Sequence, residues 1–227
     1  LNYYHGLVAP TFFWLAGYMR GVSSVRPGTP KPAWPTVKRL LVIWLWGYLL
    51  HVPWWQLAQG DFSPPVLRIL FQSDVLHCLA VSCLLLLAVE RGFYGRLVRP
   101  WIVAVVLGAA AVLFTDCMAT ATTGLMPLDA YLATAHGSLF PLFPWIGFAC
   151  AGFISGSHGL PGWRSFALGA VVALAVPHIP GASGTAQFFV ERLGWVLMAA
   201  AVVANAGAWL ARAPRWLMLA GRESLVA

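Results

Sequence analysis

Seven consecutive residues, Phe71-Gln72-Ser73-Asp74-Val75-Leu76-His77, bring a carboxylate and an imidazole into register. With Ser73 as the N-cap of a helix, Asp74 and His77 stand at i and i+3 on one face. A carboxylate so placed orients an imidazole and raises its basicity, which is how acid–base pairs are built. The positive end of the helix also favours Asp74 as an anion. A structural role fits the same spacing equally well, with Asp74 capping the first turn and His77 a buried polar contact. His5 opens a second stretch that runs through Pro10 to Gly17, and Pro10 is expected to loosen a helix there and free a carbonyl toward a cavity. His136, in Ala135-His136-Gly137-Ser138, takes the matching position before a later apolar run. His51, just before Pro53, and His178 read as interfacial histidines with structural roles. Imidazoles gathered at one level supply groups that move protons near neutral pH.

Motifs for other chemistries are missing from the sequence. It holds no G-x-x-x-x-G-K-S/T, no G-x-S-x-G and no H-E-x-x-H. The His and Cys spacings are too loose for structural zinc, so no metal is expected. The four cysteines form no C-x-x-C pair, and Cys78, Cys83 and Cys150 sit in apolar runs, where cysteine behaves as a small hydrophobe.

The scaffold for these groups follows from composition. Of 227 residues, 60% are hydrophobic and 9% charged, against about 25% charged in soluble domains. So little charge cannot cover a water-soluble globule, and 12 Trp, 13 Phe and 6 Tyr demand burial, which excludes a disordered chain. A polytopic membrane protein is expected: an all-α transmembrane helical bundle. Apolar runs at roughly 5–21, 37–57, 74–89, 100–118, 139–156, 165–180 and 194–211 give seven spans, and Trp216 opens an eighth. The runs are continuous and too long for barrel strands. Of the 14 Lys and Arg, all but Arg68 and Arg192 fall in the odd-numbered loops, which the positive-inside rule places in the cytoplasm. Asp61, Asp74, Asp116, Asp129 and Glu191 then lie on the outer side, with every histidine except His158. The cations are scattered rather than striped, so nucleic acid is not an expected partner. The chain begins abruptly at Leu1 and stops inside the apolar run Ser224–Ala227, so a fragment of a longer bundle is expected, and with no internal repeat one domain, 1–227, is the simplest reading.

The order of these segments resembles a known family. Its carriers are His5 to Gly17, Gly47-Tyr48-Leu49-Leu50-His51-Val52-Pro53, the Phe71–His77 stretch, Phe140-Pro141-Leu142-Phe143-Pro144-Trp145-Ile146-Gly147-Phe148 and Gly221-Arg222-Glu223-Ser224-Leu225. Together they resemble the bacterial relatives of heparan-alpha-glucosaminide N-acetyltransferase, within the transmembrane acyltransferase superfamily. The resemblance implies that the family's first and last helices are missing here. It also implies transfer of an acyl group, typically acetyl, from acetyl-CoA or another acyl-CoA in the cytoplasm to a sugar amine or hydroxyl across the inner membrane. A histidine before the A-P-x-F segment is the catalytic group so implied, and His5 is its nearest match. The residues themselves offer His5 or the Asp74–His77 pair as the base, with His136 at the same level, and either direct transfer or a covalent acyl-histidine. The cations Arg20, Lys38 and Arg39 would attract the coenzyme phosphates. Membrane lipid and an extracytoplasmic glycan are the expected partners, and a homodimer is left open. A carrier or flippase, or a structural subunit of an envelope glycan system, is the alternative.

Overall fold

The computed structural model describes residues 6–26, 32–132, 138–159, 162–175 and 184–206. His5, His136 and His178, and everything from 207 onward, lie outside them. The described residues are helical, with no strand among them. In chain order the helices are α1 (Val8–Ser24), α2 (Trp34–His51), α3 (Trp54–Ala58), α4 (Pro64–Leu70), α5 (Val75–Gly92), α6 (Pro100–Leu113), α7 (Thr115–Met118), α8 (Met126–Leu132), α9 (Leu142–Ser157), α10 (Trp163–Ala175) and α11 (Gly184–Asn205). Seven of them, 13 to 22 residues long, overlie the seven apolar runs. Two, Val75–Gly92 and Gly184–Asn205, are long and apolar enough to cross a membrane by length and composition, and three shorter apolar helices accompany them.

Proline sets several starts. Pro35, Pro64 and Pro100 occupy the first turns of α2, α4 and α6, where a missing N–H leaves no helical bond unmade. Val52, extended ahead of Pro53, ends α2. Pro10 departs from expectation for the same reason. Helix α1 begins at Val8, so Pro10 lies in its first turn and breaks nothing.

The most buried helix is α9, with Phe148 and Phe153 fully enclosed. It packs on α1 at near backbone contact. A Cβ on Gly17 would lie 1.9 Å from the Ala149 carbonyl oxygen, and one on Gly152 equally close to that of Trp14. Only small residues allow helices this near, a device frequent where helices pack in lipid. Gly17 meets Ala149 and Gly21 meets Phe153, so α1 and α9 run the same way. Gly108 meets Cys150 and Val112 meets Gly147, so α6 opposes them. By the same reasoning α11, through Phe189 on Gly147, runs with α9, and α10 runs against α11.

These directions sort the charges. One end gathers the starts of α1, α5, α9 and α11 and the finishes of α2, α6 and α10, with His51, Asp74, Asp116 and Asp129. The other end carries Arg20, Lys38, Arg39, Arg96, Arg99 and Arg164. The segregation read from loop charges is therefore present in three dimensions. Boundaries differ in several places: α2 stops at His51 where the run was read to 57, and α6 at Leu113 where it was read to 118. The seventh long helix starts at Gly184 rather than 194, and Asp74, not Ser73, is the N-cap of α5.

Candidate active site

Helix α5 is held at its start by Ser73. Its carbonyl accepts from the Leu139 and Phe140 N–H groups at 3.1 and 3.3 Å, and its hydroxyl donates to the Phe140 carbonyl at 3.2 Å. Two motif segments nearly 70 residues apart are thus stapled together. Asp74 then closes a reciprocal cap. Its carboxylate accepts from the backbone N–H of His77, and the His77 Nδ1 accepts from the Asp74 N–H at 3.2 Å. The expected contact between carboxylate and imidazole is replaced by this exchange through the backbone.

The exchange fixes the His77 tautomer. A ring nitrogen that accepts carries no proton, so neutral His77 bears its hydrogen on Nε2. That Nε2 is fully buried and has no hydrogen-bond partner among the described residues. The ring lies flat against α2, where a Cβ on Gly47 would stand 2.7 to 2.9 Å from three of its atoms. Tyr48 packs edge-on at 4.0 Å between centroids, with Trp44 and Tyr131 at 6.2 and 6.3 Å. The Trp44 indole N–H donates to the Tyr131 oxygen at 2.7 Å, and the Tyr48 and Tyr131 hydroxyls lie 3.3 Å apart. Burial, reinforced by the Tyr48 hydroxyl, pushes the Tyr131 phenol well above its ordinary range, so it stays a donor.

One turn beyond Gly47, His51 sits with Nδ1 3.0 Å from the Gly47 carbonyl and Nε2 3.9 Å from an Asp74 oxygen. The carboxylate's imidazole neighbour is therefore His51, which sequence reading gave a structural role. Trp44, Gly47, Tyr48 and His51 fall at i, i+3, i+4 and i+7, so an aromatic and polar stripe on α2 was the available signal.

At the opposite end, Arg20 pairs with Glu90 across α1 and α5, with little of either side chain exposed. Lys38 and Arg39 are exposed near the start of α2. Beyond the ion pair opens a cavity of about 470 Å³, lined among others by Ser24, Tyr94, Arg96, Arg99, Trp101 and Ser157. Neither Arg96 nor Arg99 stood among the expected phosphate ligands. No cluster of three potential metal ligands occurs among the described residues.

Two imidazoles and a carboxylate thus lie at one end of the helical bundle, and cations surround a cavity at the other. Residues 1–190 match the family model of the heparan-alpha-glucosaminide N-acetyltransferase catalytic domain. The chain belongs to that family, and its function is of the acetyltransferase type. No curated protein and no solved structure matches it.

Proposed function

We propose that this protein is a multi-pass enzyme of the inner membrane that moves an acetyl group from cytoplasmic acetyl-CoA to an extracytoplasmic sugar amine or hydroxyl. The observation that carries the proposal is the buried Nε2–H of His77, which has no hydrogen-bond partner among the described residues. A buried donor without an acceptor is costly, and such a group is supplied with one when a carbonyl oxygen arrives beside it. Held by the cap, it is preorganised to stabilise the negative charge that develops on a thioester oxygen under attack. His5, the nearest match to the family's catalytic histidine by resemblance, and His136 lie outside the described residues. Large apolar side chains on the outer faces, such as Leu45, Trp46 and Leu50 of α2 and Val106 of α6, suit contact with lipid.

The cavity beside Arg96 and Arg99 is the proposed seat of the coenzyme's phosphates, with Trp101 and Tyr94 available to its base. From His77 to Glu90 is 13 residues of helix, about 20 Å at 1.5 Å per residue. The charged nucleotide would remain at the cation-rich end while the acylated arm reaches along the bundle. Purified protein given labelled acetyl-CoA and glucosamine is expected to produce labelled N-acetylglucosamine. His77→Asn, whose amide can still accept at the cap but lacks Nε2, is expected to lower kcat about 100-fold or more. Unchanged turnover in that variant would remove His77 from the site.

A further inference from the structure

We infer that His51 is the proton acceptor of the reaction, Asp74 its positioning carboxylate, and His77 a donor only. This division of labour rests on the acetyltransferase reading above and deepens it. It follows from which ring nitrogen of each histidine is already engaged. The Gly47 carbonyl, 3.0 Å from His51 Nδ1, can be satisfied only by a donor, so that nitrogen carries the hydrogen. The lone pair of neutral His51 is therefore on Nε2. His77 has the reverse arrangement, since its Nδ1 accepts from the Asp74 N–H. The two rings, on facing helices, expose opposite functions: a base at His51 and a hydrogen-bond donor at His77.

The side chain of His51 is 29% exposed, so an acceptor arriving from outside the bundle can reach it, whereas His77 is fully enclosed and a thioester must displace the aromatic side chains packed on it to meet its Nε2–H. Asp74 Oδ2 lies 3.9 Å from His51 Nε2, at ion-pair distance. A proton taken up there produces an imidazolium facing a carboxylate. Asp74 thus serves both rings, His77 through its backbone N–H and His51 through its charge.

The step balances without a further reactant. The amine or hydroxyl of the acceptor attacks the thioester carbonyl carbon and gives its proton to His51 Nε2. Negative charge on the carbonyl oxygen is met by the His77 Nε2–H. The carbon–sulfur bond then breaks with its electron pair going to sulfur, and the thiolate recovers the proton from His51. The products are the acetylated acceptor and the free thiol of coenzyme A.

Long-range proton–nitrogen NMR of histidine-labelled protein in nanodiscs, assigned with His51→Gln and His77→Gln, should show an Nδ1–H tautomer for His51 and Nε2–H for His77. In acetyl transfer to glucosamine, His51→Gln should lose about 100-fold or more in kcat with the KM for acetyl-CoA unchanged. In His51→Gly, added imidazole should restore part of it. Asp74→Asn keeps the cap and should lower kcat about tenfold, with Asp74→Glu recovering part of the loss. Reversed tautomers, or a His51→Gln enzyme with full kcat, would overturn the assignment while leaving the acetyltransferase reading intact. Correct tautomers in a wild-type protein that never transfers label would overturn the reading itself, and the assigned step with it.

Discussion

Gly47 shows how tightly the chemistry is tied to single atoms. With His77 already pressed on its Cα, an added methyl has no space. Gly47→Ala should cost about 1–3 kcal/mol in overpacking, read as a lower midpoint of thermal unfolding, and should lower acetyl transfer at least tenfold by moving the ring. Trp44→Phe keeps an aromatic ring but removes the donor to Tyr131, and should cost about 1 kcal/mol by the same measurement. At this scale the sequence is only half legible. The spacing of Asp74 and His77 predicts a shared helix face; in the structure Asp74 is instead the extended N-cap and meets His77 through a reciprocal cap. Which nitrogen each ring offers depends on an N-cap one residue later than expected and on a carbonyl of another helix, and no spacing rule contains either. His51 was passed over because its partner lies 23 positions away in sequence.

Between helices, close approach and charge decide the packing. Gly17→Val would drive side-chain atoms into the Ala149 carbonyl, which is backbone and cannot step aside. The expected loss is about 3 kcal/mol, at the top of the usual overpacking range, seen as a collapse in thermal stability or in folded yield. The Arg20–Glu90 pair gives a different signature. Glu90→Ala strands a guanidinium in a partly buried site and should cost about 2–3 kcal/mol, whereas Arg20→Met with Glu90→Leu should recover most of it in a double-mutant cycle on thermal unfolding. Hydrophobic runs located the seven long helices well because each must cover an apolar stripe. The start of α11 was misplaced because Glu191 and Arg192 resemble a loop. The structure carries the helix through them, with the Arg192 guanidinium 5.7 Å from the centre of the Phe188 ring. Helices α3, α4, α7 and α8, each of at most seven residues, are too short to leave a periodic trace.

Across the whole molecule, the charged groups of the described residues divide between two opposed ends. Charge counting in the loops anticipated that division, since alternating helices return every odd loop to one end. The cavity at the cation-rich end was not anticipated, because Arg96, Arg99 and Trp101 converge with Ser24 and Ser157 only after three helices have packed. Arg96→Ala with Arg99→Ala should raise the KM for acetyl-CoA about tenfold and leave that for the sugar unchanged. In the proposed function the reaction connects two aqueous compartments. Protein reconstituted with one orientation in sealed vesicles, with labelled acetyl-CoA on the side of the cation-rich end and glucosamine on the other, tests this most directly. Labelled N-acetylglucosamine should form only in the glucosamine compartment, and His77→Asn should abolish it. Product that forms only when donor and acceptor share one side, or at an undiminished rate in His77→Asn, would contradict the account.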